Sequence, residues 1–187
     1  YSHAVRNSDG SYKVIFDFSD LKKEIEMFLR ACPDMHYFQG KTGSMLVQRD
    51  NQGIGQLVLR GFEVDENGEL KVTDNGDGTY APIYTYGYQQ GEYIAESAMY
   101  AKQYFSALQE FLQSQTLPDG RTWLDIFIQA ICDEPNDIIV PAYENIARYI
   151  RAAAPGIKIM DPLGTDKIDA ELIDIPCPCI DIAVFKG

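Results

Sequence analysis

An α/β fold of the (β/α)8 TIM-barrel type, present in part and carrying an inserted β-hairpin, is what this sequence predicts. Three observations lead there. Apolar runs alternate with stretches whose apolar residues recur at helical spacing, the pattern of strand–helix–strand units that form a parallel sheet with right-handed crossovers. The run Ile126-Phe127-Ile128-Gln129-Ala130-Ile131-Cys132 is almost wholly apolar, as strands covered on both faces are. The chain's 187 residues fall short of the roughly 200 or more that a closed eight-fold barrel needs. Residues 1–187 therefore read as one domain with a sizeable core, holding about four βα units.

Taken in order, residues 1–11 read as a lead-in. Residues 12–18 are extended, and Ser19 or Asp20 then caps a helix whose stripe is Leu21, Ile25, Phe28 and Leu29, because their side-chain oxygens can accept from free N–H groups of the first turn. Cys32-Pro33-Asp34 ends it. Residues 35–38 form a short strand and 39–44 a loop. Residues 53–80 read as the β-hairpin insertion, since Phe62, Val64, Leu70 and Val72 flank Glu66-Asn67-Gly68, a turn sequence suited to positive φ. Asp74-Asn75-Gly76-Asp77-Gly78 has its carboxylates three apart and lacks the closing bidentate Glu of a calcium loop, so it reads as a turn. Residues 92–114 form a long amphipathic helix, with Ala98, Ala101, Tyr104, Phe105, Leu108, Phe111 and Leu112 inward. A strand over 123–132 follows, then a helix over 138–153 with Tyr143, Ile146, Ala147 and Ile150 inward. A strand over 157–160, a short helix over 169–173 and a last strand over 180–184 complete the chain.

Composition narrows the function. The formal net charge is -12, which opposes binding to nucleic acid or anionic membrane, because both require a basic surface. It suits a neutral or cationic substrate. No stretch reaches the roughly 18 apolar residues that span a bilayer. The 12 tyrosines are mostly half-buried packing residues by expectation, though rings that stack on sugar CH faces are drawn from the same set. Cys32, Cys132, Cys177 and Cys179 are expected as free, largely buried thiols. Cys177-Pro178-Cys179 has no second pair and no neighbouring His to complete a tetrahedral metal site, so neither a metal nor a cofactor is expected.

The chemistry is expected where the apolar strand ends, at Asp133-Glu134-Pro135. Parallel strands carry their active residues at their C-terminal ends. Adjacent residues of a regular strand point to opposite faces, so these two carboxylates converge only if the chain bends there. Pro135 marks such a bend, having no N–H for the ladder and restricting Glu134. Close like charges divide the roles of acid and ionised partner, as glycoside cleavage requires. The plain alternative is a helix start, because acids favour a helix N-terminus. Asp161 closes the strand over 157–160 and belongs to the same rim. Tyr37, His36 and Lys41, at or after a strand end, are further candidates for binding sugar hydroxyls, although a lone His beside apolar residues is more often structural; Asp161 and Asp181 either orient the site or cap and hydrogen-bond nearby backbone.

Three segments together resemble the catalytic domain of glycoside hydrolase family 123, known for β-N-acetylgalactosaminidases. Phe16-Asp17-Phe18-Ser19-Asp20-Leu21 resembles that family's FDFSRFD helix entry. The strand into Asp133-Glu134-Pro135, with Tyr143 in the next helix and Pro155 beyond it, resembles its DEP region. Ile180-Asp181-Ile182 resembles the start of its DIWVP strand, although Ala183 stands where an aromatic is common and Phe185 where proline is usual. The resemblance implies that Glu134 is the general acid/base and that Asp133 holds and polarises the substrate's 2-acetamido group. The acetamido oxygen then attacks the anomeric carbon, and water opens the resulting oxazolinium with net retention. It implies a glycan or glycoconjugate substrate, no cofactor, and a secreted or periplasmic location. Two other readings stand beside it: a catalytically silent carbohydrate-binding or assembly module, and a retaining glycosidase with a separate nucleophile.

Overall fold

The computed structural model describes residues 2–40, 45–49, 55–89 and 92–179. Its first element is a hairpin, β1 (Ser2–Arg6) paired antiparallel with β2 (Tyr12–Phe16). The expected lead-in is thus a strand. Its turn is built by Asn7, which accepts from Gly10 N–H at 3.1 Å, and by Gly10 at φ 91°, a conformation open to glycine. Helix α1 (Ser19–Ala31) follows, and then β3 (Phe38–Gly40).

Seven short strands come next: β4 (Met45–Arg49), β5 (Gly55–Phe62), β6 (Val72–Asp74), β7 (Tyr80–Pro82), β8 (Tyr84–Tyr86), β9 (Tyr88–Gln89) and β10 (Glu92–Tyr93). Between β5 and β6 the chain turns at Gly68, φ 82°, with Val64 bridging Leu70. Asp74 and Asp77 each use a carboxylate oxygen to accept a backbone N–H two residues on, from Gly76 at 2.8 Å and Thr79 at 2.9 Å. They close the β6–β7 turn as Asx turns do. One antiparallel sheet has the order β2-β1-β7-β6, and another β4-β5-β8.

The second half is helix and parallel sheet. Helix α2 (Ala95–Gln113) buries Tyr100, Ala101, Phe105, Leu108 and Leu112. It lies close on β5, where Ser97 Oγ donates to Leu59 O at 2.9 Å. Four residues of the expected strand over 123–132 are instead a helical turn, α3 (Trp123–Ile126). Thr122 and Asp125 form a reciprocal capping box there, which satisfies two N-terminal donors. The strand proper is β11 (Phe127–Gln129). Helix α4 (Val140–Ala153) buries Ala142, Tyr143, Ile146, Ala147 and Ile150, the stripe that the spacing predicts. β12 (Lys158–Leu163), a 3-10 turn (Ala170–Leu172) and β13 (Ile175–Pro178) complete the described chain.

β3, β11, β12 and β13 form one parallel sheet in chain order. Among the described residues β13, with prolines at 176 and 178, is bonded on one side only, to β12, and such an edge tolerates missing N–H donors. The main core joins α2, α4 and the sheet through Phe38, Phe105, Phe127, Tyr143, Ile146 and Ile159, among others. The expected strand over 180–184 lies outside the described residues. Among the described residues, no helix is long and apolar enough to cross a membrane.

Candidate functional site

The site begins where β11 stops pairing. β11 lies between β3 and β12, and its ladder with β12 runs to Gln129↔Ile159. Beyond that point the neighbour offers a side chain in place of carbonyls. Ile131 N–H lies 2.9 and 3.0 Å from the two carboxylate oxygens of Asp161, and Cys132 N–H donates to the same group at 3.2 Å. Tyr143 Oη, reaching across from α4, donates to it at 2.8 Å. Asp161 is wholly buried, so its charge is tolerable only because these donors surround it.

From this bracket the chain turns outward. Glu134 N–H donates to Pro162 O at 3.1 Å, and Glu134 takes a left-handed backbone, φ 48°. Pro135 is buried behind it, while Asp133 and Glu134 are both exposed. Gly164 lets the loop after β12 come close: a Cβ there would stand 3.2 Å from Pro135 O and 3.3 Å from Glu134 O. Cys179, just after β13, donates its thiol to Glu134 Oε1 at 3.6 Å. Lys167 and Thr165 bind the Asp137 carboxylate at 2.6 and 2.5 Å, tying the loops after β11 and β12 together.

The helix-start explanation does not describe the acid pair. α4 begins at Val140 and has no acid in its first turn. Asn136 prepares that helix, its side-chain oxygen accepting from Ile138 N–H at 3.0 Å and Ile139 N–H at 3.3 Å.

The electrostatics follow the burial. Removal from water pushes the Asp161 carboxyl up to about 6, with the Asp133 charge adding and the backbone and Tyr143 hydrogen bonds opposing. The Cys132 thiol is pushed up to about 11, first by burial and then by Asp161 and Asp133. Tyr143 is raised too, mainly by burial and then by Asp161. A thiol so raised is a neutral packing group and not a nucleophile.

The other predicted residues fall in different places. Asp161 is wholly buried and holds the strand exit from within the core. His36 and Tyr37 precede β3 and are exposed. They lie at the N-terminal end of the parallel sheet, where Lys158 Nζ stands 6.0 Å from the Tyr37 ring centroid. Asp133 and Glu134 leave its C-terminal end, so the two groups are not brought together. Lys41 and Asp181 lie outside the described residues. Of the four cysteines, expected as largely buried, only Cys132 is buried. Cys32 and Cys177 are exposed because they sit at a helix end and in a proline-interrupted edge strand. Among the described residues, no cluster of His, Cys, Asp or Glu is arranged to hold a metal. The cavities of about 500, 260 and 220 Å³ are lined by residues other than the acid pair.

Three features of the site went unread in the sequence. The sequence marks Tyr143 as an inward ring of α4 and a part of the DEP-like region but not as a hydrogen-bond donor to Asp161, Gly164 gives no signal, and Cys179 reads as a free thiol with no link to Glu134. No family model matches this sequence, and no curated protein matches it.

Proposed function

We propose that this protein is a glycoside hydrolase that removes terminal β-linked N-acetylhexosamine, N-acetylgalactosamine foremost, by a substrate-assisted retaining mechanism on a partial (β/α)8 framework. The observation that carries the reading is the exposed Asp133-Glu134 pair, turned out of the ladder at the C-terminal end of an inner parallel strand. Parallel α/β sheets bind their ligands at that end. The sheet's strands also follow one another in chain order, the winding that a barrel continues.

In this reading the Glu134 carboxyl gives its proton to the glycosidic oxygen as the bond to the anomeric carbon breaks. The acetamido oxygen forms the new bond to that carbon, and the Asp133 carboxylate accepts the acetamido N–H. Water then attacks the anomeric carbon, the bond from that carbon to the acetamido oxygen breaks, and the Glu134 carboxylate takes the proton of the water. Adjacency of the pair suits this route, because the substrate supplies the nucleophile and no second, distant carboxylate is needed.

The test is turnover of aryl β-N-acetylgalactosaminides with good and poor leaving groups. Glu134→Gln is expected to slow the poor leaving groups by about 10²–10⁴ and to spare the activated ones. Asp133→Asn should slow both. Equal losses across leaving groups for Glu134→Gln would remove its acid role. A carbohydrate-binding module without turnover is the second reading, favoured by the position of the pair outside the cavities described. Calorimetric binding of N-acetylgalactosamine that survives the double substitution, with no hydrolysis, would select it.

A further inference from the structure

We propose that Asp161 is the positioning residue of this site: its carboxylate, braced by the Tyr143 hydroxyl, clamps the N–H groups of Ile131 and Cys132 and so sets the direction in which Asp133 and Glu134 leave the sheet. The inference deepens the glycosidase reading and rests on it for its kinetic part. Its structural part stands alone. β11 and β12 share backbone pairing only as far as Gln129 and Ile159. Past the end of β11, the N–H groups of Ile131 and Cys132 are both taken by one side chain. A carboxylate reaches farther than a main-chain carbonyl, so the exit of β11 is displaced from the path that a continuing ladder would impose. Pro162, the residue after the clamp, then accepts Glu134 N–H. Two successive residues of β12 thus fix the backbone on both sides of Asp133.

Tyr143 makes the clamp single-valued. Without its hydrogen bond the Asp161 carboxylate could rotate about its Cβ–Cγ bond and share itself between the two amides in more than one way. The tyrosine projects from the end of the first turn of α4, where Ala142, Ile146 and Ala147 around it are buried, so its ring cannot follow such a rotation. Asp161 touches no substrate in this arrangement and acts only through the backbone it holds.

The test uses Tyr143→Phe in the whole chain, which keeps ring volume and removes one hydroxyl, with Asp161→Asn as the harsher companion. Amide hydrogen exchange is the readout that does not depend on turnover. The Ile131, Cys132 and Glu134 amides of Tyr143→Phe should exchange about tenfold faster, measured relative to the Ile146 and Ile150 amides of α4. Kinetically, kcat on an aryl N-acetylgalactosaminide should fall about tenfold with KM within about twofold. A rise in exchange that is uniform over the molecule, or none at the three amides, overturns the positioning role. So does a fall in kcat/KM carried by KM alone. If the wild-type chain hydrolyses no aryl hexosaminide, the glycosidase reading fails while the exchange result still decides the clamp.

Discussion

Glu134 is the only residue other than glycine with positive φ among the described residues. A Cβ in that region costs roughly 1–2 kcal/mol, and such strain gathers where function requires an unusual backbone. Here it is sustained by the bond to Pro162 O and the close approach at Gly164. Glu134→Gly removes the strain but adds chain entropy to the unfolded state, about 0.5–1 kcal/mol. Glu134→Ala keeps the strain and loses only the contact of the carboxylate with Cys179. The glycine variant is therefore expected to be more stable than the alanine variant by about 1 kcal/mol in urea unfolding. On the proposed mechanism, neither should retain general-acid catalysis. Equal urea midpoints for the two would mean that residue 134 is not left-handed in solution.

At the level of elements, β5 and α2 fit closely. A Cβ on Gly61 would stand 2.8 Å from the backbone carbon of Glu96 and 2.8 Å from the Ser97 nitrogen, so a whole helix would have to move. Gly61→Ala is expected to cost about 1–3 kcal/mol, read as a lower melting temperature with the unfolding cooperativity unchanged. The helices themselves were legible in sequence because a stripe at 3.6-residue spacing has one physical meaning: Tyr143, Ile146, Ala147 and Ile150 are buried together. The short apolar segments were less so. Trp123 and Leu124 belong to an apolar run, yet Thr122 and Asp125 cap a helical turn there. The T-x-x-D spacing was the signal for it. Asp9-Gly10 likewise marked the β1–β2 hairpin that the polar lead-in concealed. Site positions followed the same division. The exit of Asp133 and Glu134 followed from an apolar run ended by charge and proline. The burial of Asp161 depends on β12 standing beside β11, a pairing between segments about thirty residues apart that no local pattern encodes.

On the scale of the whole molecule, charge and burial set a common pH dependence. The formal net charge of -12 and pI near 4.5 mean that the protein repels itself increasingly as pH rises from 5 to 8. Asp161 adds to this trend. Burial pushes its carboxyl up to about 6 when folded, against an ordinary 3.8, so the folded state binds its proton more tightly. The stability gained from that proton is full below about 3.8 and is lost as pH rises through about 6, a change on the order of 3 kcal/mol. Asp9, Asp65, Asp77 and Asp137 oppose it at lower pH. Hydrogen bonds hold each of them below the usual range, so their contribution is present above about 3.8 and fades as pH falls through their lowered values. Melting temperature should therefore rise from pH 7.5 to pH 5 and turn down again toward pH 3. The Tyr143 hydrogen bond is among the groups that lower the Asp161 carboxyl. Tyr143→Phe should accordingly shift the upper limb of the melting curve toward higher pH, beyond its general loss of stability. A variant whose melting curve is displaced downward by the same amount at every pH would show that Asp161 titrates independently of Tyr143, and that the buried carboxylate is not what couples the molecule's stability to pH near 6.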